Sequence, residues 1–284
     1  MAGADLFYAA VLGCISTLGL PLNALALWIL LRHHNLKSPS AVFMVNLAIS
    51  DLLLVITLPL RVYFYATGEW DLGNTACLLS TTVFRSNIRS SSIFITFISV
   101  DRLLAVVYPL RSRHLRSPSN AVKGAVLVWL YVVAMSIPEN LNYVKNLRNQ
   151  SNTCFESTGN QTKHSLTSYI TTSSIFLMLA VNIVCTAMVF WTLRNHISDS
   201  AKVKNKMNVM VLFVMNMIMF TICFLPLTLG LISVKIIQLR PVICLASANC
   251  CLDPLLYYFS LDAFWKKGED VETTRGQKSN DSQL

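Results

Sequence analysis

Long stretches of apolar residues with few or no charges recur along the whole chain, separated by short polar segments. A helix that crosses a bilayer needs about 20 apolar residues. Six of the stretches meet this length, and the fourth meets it if the helix continues past Glu139. The pattern predicts an all-α membrane protein, a seven-transmembrane helix bundle with a short amphipathic eighth helix at 261–267. A very hydrophobic soluble helical protein is the disfavoured alternative. The seven stretches are 6–31, 41–60, 76–100, 124–138, 165–193, 207–234 and 241–261.

Composition and charge agree with this interpretation. Hydrophobic residues make up 54% of the 284 positions and charged residues only 13%, whereas about a quarter of the residues in soluble domains are charged. One side of the membrane would hold segments 32–40, 103–123 and 194–206 and the C-terminus. This side carries twelve basic residues before Arg275 and Lys278 are counted, whereas the other side carries five. Because basic loops are cytoplasmic, the N-terminus is predicted outside and the tail inside. The net charge of +9 mostly reflects this bias, so it does not require a nucleic-acid partner, and none is predicted.

Two of the eight cysteines are candidates for a disulfide. Cys77 and Cys154 both fall at the outer face of the predicted bundle, where oxidation is allowed. A bridge there would attach the second outer loop to the third helix, and two free thiols are the alternative. The same loop carries Asn149 and Asn160, each of which begins a glycosylation acceptor. No metal-ligand spacing and no catalytic motif occurs in the sequence.

Polar residues within the spans form two layers. Ionisable groups inside a membrane are costly and usually face the interior of the bundle. The inner layer combines two carboxylates with amide and hydroxyl partners, which suits a small hard cation. A water-filled polar network without an ion is an equal alternative. The members of the inner layer are Asp51, Asn87, Ser91, Asn249 and Asp253.

The second layer is basic and lies in the outer half. Arg85 and Arg89 are one helical turn apart and project to one face of the third helix, where they repel each other unless an anion lies nearby. Guanidinium groups bind carboxylates and phosphates through paired hydrogen bonds, so an anionic ligand from outside is the favoured interpretation. Pairing of Arg89 with Glu139, snorkelling of Arg85 and an interface anchor at Arg61 are the alternatives. The whole layer comprises Arg61, Arg85, Arg89, Lys235 and Arg240.

Two further features lie nearer the cytoplasmic end. Asp101 and Arg102 end the third span, either as a simple surface pair or as a latch in which Asp101 holds Arg102 until the helices part. Phe224 lies two residues before Pro226 in the sixth span. Because proline removes a hydrogen bond of the helix, it predicts a kink there, which is either a hinge or static.

Eight short motifs occur in order along nearly the whole chain. They are Gly19-x-x-x-Asn23, Asn46-Leu-Ala-Ile-Ser-Asp51, Trp70 before Cys77, Ser99-Val-Asp101-Arg102, Trp129, Cys154, Phe220-x-x-Cys-Phe-Leu-Pro226 and Asp253-Pro-Leu-Leu-Tyr257. Together they resemble the rhodopsin-like (class A) G-protein-coupled receptors. Asp253-Pro254 in place of the commoner Asn-Pro is typical of the branch that includes the purine-nucleotide and lysophospholipid receptors.

The resemblance implies a plasma-membrane receptor that responds to an extracellular ligand and activates heterotrimeric G proteins. Residues 1–265 would form the seven-transmembrane receptor domain and 266–284 a disordered cytoplasmic tail, whose last three residues resemble a ligand for a PDZ domain. Arg61 would contact an anionic headgroup, Arg102 would move to the G protein, and the inner layer would bind sodium as an allosteric modulator. The other residues implied in coupling and activation are Asp101, Phe224, Pro226, Asp253, Pro254 and Tyr257.

The favoured ligand class is a lysophospholipid such as lysophosphatidic acid. An amphiphile suits both Arg61 and the apolar upper part of the bundle. A small carboxylate or a nucleotide is the alternative. A membrane transporter or channel is a remote alternative, because it needs a continuous polar path that spans one, five and six do not offer. An enzyme is not expected.

Overall fold

A computed structural model describes residues 2–33, 36, 38–147, 154–155, 166–195, 200–232, 239–255 and 257. Most of these residues are helical, and no strand occurs among them. The all-α architecture predicted from the sequence is confirmed. The elements are α1 (Ala2–His33), α2 (Pro39–Thr67), α3 (Gly73–Val107), α4 (Pro118–Leu147), α5 (Leu166–Asn195), α6 (Ser200–Met219), a π-helical turn (Phe220–Phe224), α7 (Leu225–Ile232) and α8 (Leu239–Ser247).

Six helical segments are long and apolar enough to cross a membrane. They coincide with the first six apolar stretches of the sequence. The fourth meets the required length because α4 continues through Pro138 and past Glu139. The six segments are Asp5–Arg32, Pro39–Thr67, Gly73–Val107, Pro118–Lys145, Leu166–Arg194 and Val209–Gly230.

The seventh apolar stretch is helical in two pieces, and residues 239–257 are called the seventh segment below. α8 ends at Ser247, a turn follows at Ala248, and residues 249–255 are helical again. At this turn the Cys251 amide donates to the Ala248 carbonyl at 3.0 Å, three residues back instead of four. The interruption directly precedes Asn249. The predicted eighth helix at 261–267 and the tail at 266–284 lie outside the described residues.

α3 lies in the centre of the bundle, where it contacts α2, α4, α5 and α6. Buried amide groups of two neighbouring helices bind it directly. Asn182 of α5 donates to Thr96 at 2.9 Å, and Asn216 of α6 donates to Ser99 at 2.6 Å. Such interhelical hydrogen bonds add to the packing of membrane helices, which lack a hydrophobic driving force between them. They fix the positions of α5 and α6 against α3.

A π-helical turn interrupts the sixth span directly before its proline. The Leu225 amide donates to the Phe220 carbonyl, five residues back. Pro226 follows at once and has no amide hydrogen to donate, so the hydrogen-bond ladder is altered over a whole turn. The turn buries Phe220 and Phe224, whose rings lie 5.3 Å apart. The break in the ladder that the sequence predicts here therefore takes the form of a π-helical turn.

α1 approaches α2 and the seventh segment closely at Gly19. A Cβ atom added there would lie 2.9 Å from the Val55 Cγ2 atom and 3.3 Å from the Cys250 Sγ atom. One turn further along α1, the buried Asn23 amide donates to the Cys250 carbonyl at 2.7 Å. The glycine therefore allows the close contact that brings Asn23 into hydrogen-bonding range.

We expect Gly19→Ala to lower the stability of the protein by about 1–3 kcal/mol, the usual cost of overpacking. Gly13→Ala is the matched control, because a Cβ at Gly13 meets nothing within 4 Å and alanine is the better helix former. Thermal unfolding of the two purified variants in detergent is the measurement. Equal melting temperatures for the two variants would contradict the close contact at Gly19.

Candidate functional site

Arg61 of α2 packs against two aromatic rings in the outer half of the bundle. Its guanidinium carbon lies 4.6 Å from the centre of the Phe84 ring of α3 and 4.4 Å from the centre of the Phe155 ring. The residue is only 3% exposed, and its Nε atom has no hydrogen-bond partner. Cation–π contacts of this kind are stronger when they are removed from water. Phe84 and Phe155 are called the aromatic cage of Arg61 below.

Phe155 is held in place from two sides. The preceding residue, Cys154, forms a disulfide with Cys77 at the start of α3, with a Cα–Cα distance of 5.8 Å. The Phe155 ring also meets the rings of Phe64 and Trp70 edge to face, at 5.4 and 5.3 Å. The structure thus brings Cys77 and Cys154 together as the sequence predicts, and the bridge places an aromatic residue on Arg61.

Arg85 and Arg89 of α3 share the carboxylate of Glu139 on α4. Arg89 forms an ion pair with Glu139 Oε1, and its Nε donates to Thr171 of α5 at 3.2 Å. The Arg85 Nη1 atom lies 3.8 Å from Glu139 Oε2. The side chain of Arg89 is 4% exposed and that of Arg85 is 42% exposed. The internal pairing that the sequence left open is therefore present, and Arg85 is the more accessible partner.

The four ionised residues Arg61, Arg85, Arg89 and Glu139 are called the outer basic cluster. Arg85 directly follows Phe84, one wall of the aromatic cage, and lies close enough to Arg61 to repel it. Three positive charges meet one negative charge, which leaves a net charge of two positive units. A buried excess of charge is unfavourable without a counterion, so the cluster is suited to an anion.

Arg240 at the start of the seventh segment has other partners. It forms an ion pair with Asp5 of α1, and its guanidinium carbon lies 5.8 Å from the centre of the Tyr65 ring. This pair connects the outer ends of α1 and the seventh segment. The sequence grouped Arg240 and Lys235 with the ligand-binding residues; Lys235 lies outside the described residues.

The polar residues of the inner layer are fully buried and belong to three helical segments. Asp51 Oδ1 of α2 accepts from Asn87 of α3 at 2.9 Å and from Ser91 of α3 at 3.4 Å. In the seventh segment Asn249 donates to Asp253 Oδ2 at 2.8 Å. The two carboxylates interact with each other. These five residues are called the inner polar cluster.

Several oxygen atoms of the inner polar cluster have no hydrogen-bond donor. Asp51 Oδ2, Asn87 Oδ1, Asn249 Oδ1 and Asp253 Oδ1 are all buried without one. Buried polar atoms are almost always satisfied, if necessary by water or an ion. Carboxylate and amide oxygens are the ligands that small hard cations prefer. The residues therefore fit a sodium ion, as the resemblance implies. Among the described residues, no group of three or more His, Cys, Asp or Glu side chains that could by themselves hold a metal ion is present.

The cytoplasmic end of α3 contains Asp101 and Arg102. Asp101 accepts from the Nε of Arg116 at 2.8 Å and from the hydroxyl of Ser40. Arg116 lies in the segment between α3 and α4, so Asp101 connects that segment with the start of α2. Arg102 is buried beside it. The Asp101 carboxylate therefore has two hydrogen-bond partners other than Arg102.

The sequence pattern described as "7 transmembrane receptor (rhodopsin family)" matches residues 22–257. The chain belongs to the rhodopsin family of seven-transmembrane receptors. This receptor is a multi-pass membrane protein. Its membership of a receptor family excludes the enzyme and transporter alternatives. The family match also extends through the seventh segment, which the structure describes in two helical pieces up to residue 257.

Curated relatives of this receptor cover most of its length. Lysophosphatidic acid receptor 4 of Homo sapiens is 33% identical over 277 residues, which span 90% of this chain and 75% of the relative. Lysophosphatidic acid receptor 6 of Gallus gallus is 34% identical, spanning 90% of both chains. Lysophosphatidic acid receptor 5 of Bos taurus is 35% identical, spanning 90% of this chain and 76% of the relative. The branch that the sequence motifs indicate, which includes the purine-nucleotide and lysophospholipid receptors, is confirmed.

Some residues of this receptor's site escaped the sequence analysis. Phe84, Phe155 and Thr171 contact the arginines, and none of them is charged. The position of Phe155 directly after Cys154 was the one available signal, because a disulfide fixes its neighbour as well. Phe224 and Tyr257 are fully buried, and Pro254 follows Asp253 in the helical stretch 249–255. The glycosylation acceptors Asn149 and Asn160 lie outside the described residues.

Proposed function

We propose that this receptor binds an extracellular lysophospholipid, such as lysophosphatidic acid, in the outer half of its bundle and activates heterotrimeric G proteins. The observation that carries the proposal is the net positive charge of the outer basic cluster, in which Arg85 and Arg89 share one carboxylate and the buried Arg61 adds a third positive charge. A phosphate monoester carries about −1.5 to −2 charges near pH 7. Such a headgroup neutralises the cluster.

The surroundings of the cluster support an amphiphilic ligand. The rings of Phe84 and Phe155 lie beside Arg61, and the Phe64 ring packs against Phe155, so an apolar chain and an anionic group find partners next to each other. Ligand sites commonly combine an apolar lining with a few polar anchors. Three relatives at 33–35% identity are named lysophosphatidic acid receptors.

The proposed orientation places the N-terminus outside the plasma membrane and the tail in the cytoplasm. The disulfide of Cys77 lies at the start of α3, and disulfides persist in oxidising, extracellular environments. Arg102 is 25 residues further along α3, about 37 Å at 1.5 Å per residue, at the opposite end of the helix. A G protein would bind at that end. The last three residues of the tail are proposed as a ligand for a PDZ domain.

G-protein dissociation in cells that express the chain tests the proposal, before and after addition of 1-oleoyl lysophosphatidic acid. We expect a dose-dependent rise above untransfected cells and no response to 1-oleoyl glycerol, which has no phosphate. A flat response from a receptor present at the cell surface would contradict the lysophospholipid. Small carboxylates and nucleotides, the second class of ligand, would then be applied to the same cells.

The inner polar cluster is proposed as a sodium site that modulates ligand affinity. We expect the affinity for the agonist to change by about 5-fold or more, a usual allosteric coupling, when sodium is replaced by N-methylglucamine at constant ionic strength. Asp51→Asn should abolish this sodium effect, because it removes a carboxylate from the cluster. Asp71→Asn, which changes an exposed acid, is the control. A sodium effect of wild-type size in Asp51→Asn would contradict the site.

A further inference from the structure

The aromatic cage leaves the hydrogen-bonding edge of Arg61 incompletely used. The guanidinium is nine-tenths buried, and its Nε atom has no acceptor. A buried donor without an acceptor is unfavourable, so the site is incomplete without a further oxygen atom. Tyr65 supplies one polar contact to the guanidinium, so Nε is the position at which a further oxygen would complete its hydrogen bonds.

Phe155 adopts a backbone conformation that side chains of its size rarely take. Its φ angle is +63°, in the left-handed region, where the Cβ atom approaches the following carbonyl oxygen. The disulfide at Cys154 and the rings of Phe64 and Trp70 hold the residue there. Strained conformations that the surroundings impose are concentrated at functional sites. The loop therefore places this ring on Arg61 at an energetic cost.

The cage determines how an anion meets Arg61. A guanidinium edge forms two parallel hydrogen bonds with two oxygens of one phosphate or carboxylate group. A ring stacked on the guanidinium fixes the plane in which those bonds lie and keeps water from that face. Arg85, beside Phe84, adds a second positive charge that is 42% exposed.

We infer that Phe155 is a specificity-determining residue that holds the Arg61 guanidinium edge-on to two oxygens of a phosphate headgroup. The inference rests on the proposed function, because the headgroup is that of the extracellular lipid. It assigns to an uncharged residue of the second outer loop a direct part in recognising the charged end of the ligand.

Two substitutions of Phe155 distinguish this role from simple packing. Phe155→Leu keeps an apolar side chain but removes the ring, and Phe155→Tyr keeps the ring. We expect Phe155→Leu to lower the potency of 1-oleoyl lysophosphatidic acid about 10-fold, a value between those of an exposed and a desolvated cation–π contact, and Phe155→Tyr to stay within about 3-fold of wild type. Equal potency of the two variants, at equal surface density, would overturn the inference.

A double-mutant cycle with Arg61→Gln tests whether Phe155 acts through Arg61. In the Arg61→Gln background, Phe155→Leu should cause no further loss of potency, because residues in contact are not additive. The same cycle on thermal unfolding of the purified, ligand-free receptor should also show coupling. If the two substitutions had additive effects on the melting temperature of the ligand-free receptor, the two side chains would not be coupled. That result would overturn the inference that Phe155 acts through Arg61. A wild-type receptor that does not respond to the lipid, with coupling present, would instead overturn the proposed function.

Discussion

Replacing Arg61 with glutamine should lower the potency of 1-oleoyl lysophosphatidic acid by about 100-fold and leave surface density near that of the wild type. Removal of one partner of a buried, charged hydrogen-bonded pair costs about 2–5 kcal/mol, and about 1.4 kcal/mol corresponds to a factor of ten. Arg61 is 3% exposed and packed between Phe84 and Phe155. Water therefore cannot replace the lost donor easily.

Concentration–response curves for G-protein dissociation measure this effect. Lys145→Gln is the matched control, because it removes an exposed positive charge from the outer end of α4 without touching the cage. Arg61→Lys should fall between the two, since lysine keeps the charge but has no planar fork. Equal potency of Arg61→Gln and Lys145→Gln would show that the headgroup does not bind Arg61.

The helical architecture was predictable because the length of an apolar stretch is a direct physical requirement for crossing a bilayer. The first six spans follow from it. The turn at Ala248 in the seventh segment does not, because the apolar residues continue through it without interruption. The hydrogen bond from Asn249 to Asp253 lies just beyond the turn, within the same segment, and the apolar pattern does not mark that position.

Candidate residues of the site were predictable from their charge, whereas their partners were only partly so. Helical spacing placed Arg85 and Arg89 on one face, and Glu139 was already a possible partner. Thr171 is 82 positions from Arg89 in the sequence, so only the packing of α5 against α3 reveals this contact. Charged residues stand out in apolar spans; the neutral groups that orient them do not.

Asp101 has partners that adjacency in the sequence does not indicate. The sequence suggested Arg102, which lies directly beside it and attracts it electrostatically. The structure gives Asp101 hydrogen bonds from Arg116 and Ser40, which belong to a different segment and a different helix. A carboxylate at a helix end can therefore connect elements that the sequence does not relate.

The double substitution Cys77→Ser with Cys154→Ser should lower agonist potency by at least about 10-fold, as loss of the Phe155 ring does. It should also lower the melting temperature of the purified receptor, because removal of a disulfide frees the chain that it closes. Phe155 follows Cys154 directly, and without the bridge the contacts of its ring with Phe64 and Trp70 are what remains to maintain its left-handed conformation.

A membrane-impermeant reductant separates this effect from misfolding during synthesis. Wild-type receptor at the cell surface should shift towards the potency of the double variant when it is reduced, and the double variant should not respond to the reductant. Cys14→Ser, at an exposed free cysteine of α1, should behave as wild type in both conditions. Wild-type potency in the double variant, at equal surface density, would mean that the rings of Phe64 and Trp70 hold Phe155 on Arg61 unaided. The disulfide would then contribute to stability alone, and recognition of the headgroup would depend on aromatic packing.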